Sequence, residues 1–157
     1  MNSWLYVNIL LFLYVIVTIG SQYTDTPPHI IFGVSGLFFI LFNWTRHAFF
    51  STIRKTTDRK KKIRLATISK RVYPFHRWSG SLALLLIVLH AMFILERYGI
   101  IWDSFKMISG MVAIIFLFLM VLTGWLRLYF PSVKKRKAHI LFGFLLVFSV
   151  IFHTVFF

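Results

Sequence analysis

The chain has 157 residues, of which 59% are hydrophobic, and it carries 18 Lys and Arg but only four acids. This composition excludes a disordered tail and an ordinary soluble domain. The absence of cysteine excludes disulfides, thiolate metal sites and iron–sulfur clusters. The net charge of +14 would suit nucleic acid, but the basic residues are placed as membrane topology places them, so we expect no nucleic-acid partner.

Five apolar runs approach the length of about 20 residues that a membrane-spanning helix needs. In chain order they cover 4–20, 29–51, 75–96, 106–128 and 138–157. The first run has no preceding Lys or Arg and no good cleavage site, so we expect a retained helix rather than a signal peptide. The sequence therefore predicts an all-α membrane protein, a bundle of five transmembrane helices that forms a single domain over 1–157.

The basic residues predict the orientation of this bundle. Eleven of the 18 lie in 46–77 and five lie in 127–137. Because positive residues collect on the cytoplasmic side, the N-terminus should be inside and the C-terminus outside, in a multi-pass protein of the cell membrane. We expect 52–74 to be a loop on the membrane surface, with "RKKKIR" attracted to anionic lipid. Pro74 would occupy the first turn of the next helix.

Four histidines repeat one spacing on two of the predicted helices. His76 and His90 are fourteen residues apart, as are His139 and His153. Fourteen residues return to within roughly 40° of the starting direction on a helix, so each pair shares one face. The members of a pair lie about 21 Å apart along the axis. The two helices run parallel in the predicted topology, so His76 should face His139 near the inside and His90 should face His153 near the outside.

Two facing imidazoles at each of two levels suggest two haem irons, because paired axial histidines are a standard way to hold an electron-transfer haem. Zinc would favour four ligands near one point. Gly80 and Gly143 each follow a histidine by four residues and would leave room for a flat cofactor. Arg77 and Arg97 lie near the two levels and could bind haem carboxylates, although snorkelling interfacial arginines would look the same.

The second predicted helix contains two competing histidines. His29 and His47 are eighteen residues apart on one face, which is about 27 Å and too long to match both levels. We therefore do not assign them as iron ligands. His47 would instead contact a haem propionate, as would Arg46 at the same inner level.

The segment "HRWSGSLALLLIVLH" resembles the third helix of the ferric reductase-like transmembrane domain family, which includes ferric reductases and NADPH oxidases. The family pattern is His-Arg, a nearby Gly and a second His, followed by another His pair two helices on. This chain has His76, Arg77, Gly80 and His90, then His139 and His153. The resemblance covers about 75–157 by motif, and the first two helices by hydropathy alone.

The resemblance implies a cytochrome b with two b-type haems that carries electrons from the cytoplasm to an outer acceptor. The family usually has a sixth helix, whereas this sequence reaches Phe157 four residues past His153. Larger members carry flavin and nicotinamide modules, but no GxGxxG follows a strand here, so we expect no such site in this chain. The chain would be the electron-transfer subunit of an oxidoreductase, reduced by a cytoplasmic flavoprotein or another reductase.

Three other functions fit parts of the pattern. A quinone-reactive cytochrome b that anchors a dehydrogenase would also bind two haems. A small cation transporter could use intramembrane histidines, but it should line a pathway with polar groups and discontinuous helices. A haem-free assembly protein is the third alternative.

Overall fold

The fold was analysed in a computed structural model, which describes residues 3–22 and 26–155. Within these ranges the side chains at 3–5, 22, 47, 48 and 73 lie outside the description. The regular structure of the described residues is entirely α-helical. The helices are α1 (Ser3–Gln22), α2 (Pro28–Lys55), α3 (Arg59–Tyr98), α4 (Phe105–Tyr129) and α5 (Val133–Val155).

Four segments are long and apolar enough to cross a membrane, which identifies the chain as a membrane protein. They are Pro28–Lys55, Pro74–Tyr98, Phe105–Tyr129 and Val133–Val155. The apolar part of α1, Tyr6–Ser21, is shorter than the usual span. The all-α class predicted from the sequence is therefore confirmed, and the described residues contain four candidate membrane spans where the sequence predicts five.

The prediction of a surface loop over 52–74 is wrong. Helix α2 continues to Lys55, and α3 begins at Arg59, fifteen residues before the apolar span. Two features explain this early start. Lys and Arg are good helix formers, and the carboxylate of Asp58 caps α3 by accepting hydrogen bonds from the backbone N–H groups of Lys60 (2.9 Å) and Lys61 (3.3 Å). Pro74 consequently lies inside α3 rather than in its first turn.

The bundle is built from two antiparallel hairpins, α2 with α3 and α4 with α5. In the first hairpin Gly36 lies against Ile87, and Asn43 lies against Ser79. Helix α1 packs on α2, where the amide of Asn8 donates to the carbonyl of Leu41 at 3.4 Å. The helices enclose a core whose largest fully buried side chains are Leu117 and Leu146.

The basic residues gather at one end of the bundle, called here the basic end and comprising 54–71 and 134–137. Nearly all of the Lys and Arg side chains at the basic end are exposed. Asp58 is the acid in this region, and its carboxylate lies 4.0 Å from the ammonium group of Lys61. The opposite end contains the connection between α3 and α4. His76 and His139 lie toward the basic end, and His90 and His153 lie toward the opposite end.

A close approach of α2 to α3 depends on Gly36, and this gives a first prediction. A Cβ atom at this position would lie 2.5 Å from Cδ1 of Ile87. We expect Gly36→Ala to destabilise the protein by about 1–3 kcal/mol, the usual cost of overpacking. Gly20→Ala is the matched control, because a Cβ there meets nothing within 4 Å. Thermal unfolding in detergent measures both variants, and equal stability of the two would contradict the close packing.

Candidate functional site

The structure brings the four spaced histidines together as two pairs. The ring centres of His76 and His139, the first pair, are 6.2 Å apart and their planes are inclined by 80°. The rings of His90 and His153, the second pair, are 6.4 Å apart at 82°. Because the N-terminal members meet and the C-terminal members meet, α3 and α5 run in the same direction.

These separations fit a metal ion between each pair. A direct N–H···N hydrogen bond of about 2.9 Å would bring two imidazole centres to roughly 5.2 Å. Two metal–nitrogen bonds of about 2.0 Å, with roughly 1.15 Å from each nitrogen to its ring centre, give about 6.3 Å. Both observed distances, 6.2 and 6.4 Å, exceed the first value and are close to the second.

Three of the four imidazoles donate Nδ1–H to a backbone carbonyl of a neighbouring helix. The Nδ1–O distances are 2.7 Å from His90 to His29, 2.8 Å from His139 to Met120 and 3.0 Å from His153 to Lys106. A carbonyl only accepts, so in each ring the hydrogen is on Nδ1. This leaves Nε2 as the unprotonated nitrogen, the atom that a metal would bind.

Each of these carbonyls is followed four residues later by a glycine, and we call this arrangement a glycine notch. The glycines are Gly33, Gly110 and Gly124, and a Cβ on them would lie 2.8, 3.0 and 3.2 Å from the rings of His90, His153 and His139 respectively. In a helix the carbonyl of residue i already accepts from the N–H of residue i+4. At these three positions a Cβ at i+4 would crowd the imidazole itself, so the glycine opens that carbonyl to the ring.

Two hydroxyl groups add to the notches on α4. Ser109 and Thr123 directly precede the two glycines, and their oxygens lie 3.3 and 3.4 Å from Nδ1 of His153 and His139. The two notches on α4 are themselves fourteen residues apart, the same spacing as the histidines that they hold. The spacing matches because α4 and α5 run antiparallel with a constant register.

His76 is the exception. Its Nδ1 is buried and has no hydrogen-bond partner within the described part of the chain. On α2, the position that would provide a fourth notch is 47, which lies fourteen residues after Gly33. This residue is a histidine rather than a glycine. The predicted contact of the His47 side chain with a propionate lies outside the described side chains.

The two pairs differ in the space around them. The second pair borders a cavity of about 500 Å³, which is lined by α1 to α5 and includes His29, Gly33, Gly110 and Lys106. This volume is typical of sites for cofactors and drug-sized ligands. The cavity at the first pair is about 40 Å³ and is lined in part by Gly80, Met120 and Trp125. It has room for about one water molecule.

Polar contacts enclose the first pair. The indole N–H of Trp125 donates to Oγ of Ser81 at 3.1 Å, and the Arg77 guanidinium lies 5.6 Å from the centre of the Trp125 ring. The hydroxyl of Ser79 donates to the carbonyl oxygen of the buried Asn43 side chain at 2.9 Å. Arg77 thus borders the first cavity through the face of Trp125.

The surroundings of the second pair place Lys106, rather than Arg97, at the cavity. Lys106 lines the 500 Å³ space, whereas the Arg97 guanidinium lies 5.6 Å from the ring centre of Tyr98. His29 is buried, and its ring centre is 6.5 Å from that of His90 and 6.3 Å from that of Tyr98. His29 therefore serves His90 through its backbone carbonyl.

The two glycines singled out from the sequence have different surroundings. Gly80 lines the first cavity, with a virtual Cβ 3.8 Å from Nδ2 of Asn43. Gly143 is buried against Trp44 and Met120, at 3.5 and 3.6 Å from the virtual Cβ. Sequence reasoning missed the three notch glycines because they lie on other helices. The fourteen-residue spacing of Gly110 and Gly124 was the signal available for two of them.

Searches with the whole chain found no matching family model, curated protein or solved structure. Within the residues that the structure describes, no group of three or more His, Cys, Asp or Glu side chains is arranged to hold a metal ion. The paired imidazoles and their surroundings are therefore the features of the chain that bear on its function.

The glycine notches predict the tautomer of each histidine in the protein without added cofactor. We expect His90, His139 and His153 to carry their hydrogen on Nδ1, because each donates it to a carbonyl. Nitrogen-15 NMR of histidine-labelled protein at neutral to alkaline pH measures this, with single His→Ala variants providing the assignments. A predominant Nε2–H form at these three positions would contradict the hydrogen bonds.

Proposed function

We propose that the chain is a membrane cytochrome b whose two histidine pairs hold two b-type haems for electron transfer across the membrane. The observation that carries this proposal is the separation of both imidazole pairs, 6.2 and 6.4 Å, which equals the sum expected for a metal between two nitrogens. The motif resemblance to the ferric reductase-like transmembrane domain supports the same assignment.

The residues present fit haem at the second pair in both ligands and space. His90 and His153 present imidazoles with Nδ1 already bonded, and the cavity of about 500 Å³ is in the range for a bound cofactor. At the first pair the ligands fit, but the cavity of about 40 Å³ requires side chains to move. Met120 is flexible and can yield, whereas Trp125 must release its hydrogen bond to Ser81.

A bound haem would supply the one-electron redox chemistry, and the chain would supply ligands, position and dielectric. The two pairs are separated by fourteen residues, about 21 Å along α3. Midway between them lie the apolar side chains of Ala83, Leu117 and Leu146, which are no more than 2% exposed. Leu117 and Leu146 also line the cavity of about 500 Å³ at the second pair, so that cavity reaches this apolar midpoint.

The proposed topology puts the basic end in the cytoplasm. Five spanning helices, including α1, would place the N-terminus inside and the C-terminus outside, in agreement with the positive-inside rule. The first pair would then accept electrons from the cytoplasm and the second pair would deliver them to an outer acceptor. The multi-pass cell-membrane location and the N-in orientation are part of this proposal.

The basic end is the proposed docking site for the electron donor, an acidic cytoplasmic flavoprotein or other reductase. Helix α3 extends from Arg59 to the span at Pro74, about 22 Å of helix axis. Its exposed Lys and Arg side chains would attract an acidic partner and speed encounter. The Lys and Arg side chains in the first turn of α3 would also attract anionic lipid headgroups. This attraction would help to orient the bundle but would not supply electrons.

Haem content tests the proposal and its pairing by level. The purified chain should contain about two haems by pyridine haemochrome, with low-spin spectra. His76→Ala and His139→Ala should each remove the same haem and leave about one, and His90→Ala and His153→Ala should remove the other. His29→Ala and His47→Ala are the matched controls and should keep both. A haem content near zero in the wild type would rule out the cytochrome assignment. If His76→Ala and His153→Ala removed the same haem, the proposed pairing would be contradicted.

Donor docking gives a separate prediction. The isolated chain should be reduced by dithionite but should not oxidise NADH or NADPH, and addition of the flavoprotein donor should allow nicotinamide to reduce it. Substituting Gln for Lys60, Lys61 and Lys62 should slow donor reduction at low salt and leave the dithionite-reduced spectrum unchanged. The effect should shrink as salt rises, because screening acts over about 10 Å at 0.1 M. If the three substitutions left the rate of reduction by the donor unchanged at low salt, the basic residues would serve only to orient the chain in the membrane.

A further inference from the structure

We infer that Lys106 holds the carboxylate end of the ligand that occupies the cavity of the second pair, and that Arg97 does not. This inference rests on the proposed haem at His90 and His153 and deepens it, because it names the side chain that orients the bound group. It concerns the second pair alone, where the cavity of about 500 Å³ has room for a ligand of that size.

The lining of this cavity favours an amphiphilic ligand. Most of the lining side chains are aliphatic, and Leu117 and Leu146 are among them. Of the described residues that line the cavity, Lys106 is the one with a permanently charged side chain, and none is an acid. A ligand that fills this space therefore needs a broad apolar body and gains from an acidic group at one edge. Haem has this combination, since its carboxylates share one edge of the macrocycle.

The positive charge of Lys106 acts on both ligands of the second pair. Lys106 is close enough to interact electrostatically with the imidazoles of His90 and His153. Its side chain is exposed, and among the described residues its ammonium group forms no ion pair with an acid. A lysine carries a point charge on a flexible stem. The ammonium group of Lys106 is therefore available to a carboxylate at the rim of the cavity.

The backbone fixes the position from which this side chain reaches out. The carbonyl oxygen of Lys106 accepts the Nδ1–H of His153 at 3.0 Å. The hydroxyl oxygen of Ser104 caps α4 by accepting from the N–H of Met107 at 3.3 Å, which stabilises this first turn. Lys106 would thus hold one imidazole through its carbonyl and the ligand through its ammonium group. A substitution of the side chain leaves the carbonyl in place, so the two roles can be separated.

Arg97 lies at the same end of the bundle but has different surroundings. Its guanidinium lies 5.6 Å from the centre of the Tyr98 ring, which is a cation–π geometry. Arg97 is exposed, and it is not one of the residues that line the cavity. It therefore provides the matched control, a second cation near the site whose loss should not affect the ligand.

The test compares haem with its dimethyl ester, in which the carboxylates are blocked and cannot pair with a cation. Each compound is loaded into the full chain in lipid nanodiscs, in a His76→Ala background that leaves the second pair as the paired site. The absorption spectrum shows whether the iron is low-spin, as two bound imidazoles require. Transfer of the compound to an excess of haem-free globin then gives its dissociation rate, the quantity in which most affinity differences appear.

Lys106→Met should raise the dissociation rate of haem about tenfold, which corresponds to the loss of one hydrogen bond to a charged group. It should leave the dissociation rate of the ester unchanged. Lys106→Arg should keep the slow rate for haem, because it keeps the cation, and Arg97→Met should keep it as well. The low-spin spectrum should be the same in all three variants, since both imidazoles remain.

The other outcomes separate this inference from the proposed function. The same haem dissociation rate in Lys106→Met and its parent would overturn the role of Lys106, as would a tenfold rise in Arg97→Met. Faster dissociation of haem and ester alike in Lys106→Met would make the lysine a packing residue and would also overturn that role. Each of these results leaves haem at the second pair. A parent chain that gives no low-spin haem would refute the proposed function at this pair, and this inference with it.

Discussion

Three of the four paired imidazoles donate N–H to a helix carbonyl, and this interaction organises the site. Leaving such a group unpaired in an apolar environment costs several kcal/mol in principle. The acceptors at this depth are helix carbonyls, which already accept from their own helix. A glycine four residues after a carbonyl gives an imidazole on the neighbouring helix room to reach it. The positions of Gly33, Gly110 and Gly124 therefore fix which helix lies beside each histidine.

This constraint explains the order of helix packing. Helix α2 must lie against α3 so that the carbonyl of His29 reaches His90, and α4 must lie against α5 so that two of its carbonyls reach His139 and His153. Small residues let membrane helices approach closely, and here the close approach allows the hydrogen bonds between imidazoles and helix carbonyls. Each of these three hydrogen bonds leaves Nε2 of its ring unprotonated, and the two hairpins bring the imidazoles of α3 and α5 together in pairs.

The sequence was sufficient for the class of fold and for the spacing of the histidines, because hydropathy and helical periodicity are local properties. It was insufficient for the partners of the imidazoles. The notch that holds His90 belongs to α2, and its glycine is fifty-seven residues away from the ring that it accommodates. Register between helices has no local signal. The glycines chosen from the sequence, Gly80 and Gly143, were those on the histidine faces themselves, and the structure puts Gly143 against Trp44 and Met120.

The predicted surface loop over 52–74 illustrates a different limit. A run of Lys and Arg reads as a boundary of a membrane span, which it is, because the apolar span begins at Pro74. The same residues are also good helix formers. Once Asp58 caps the chain, nothing before Pro74 stops the helix, and charge alone does not distinguish an extended helix from a loop. The proline that was expected to begin the helix therefore lies within it.

The apolar residues between the two histidine pairs favour the proposed electron transfer over ion transport. A transporter needs polar groups along a pathway and broken helices at its centre. Here α3, α4 and α5 pass through the middle of the bundle without interruption, and the side chains between the pairs are apolar. Leu117 and Leu146 are fully buried there. An electron tunnels through such a layer, whereas a hydrated cation would have to lose its water with no replacement ligand.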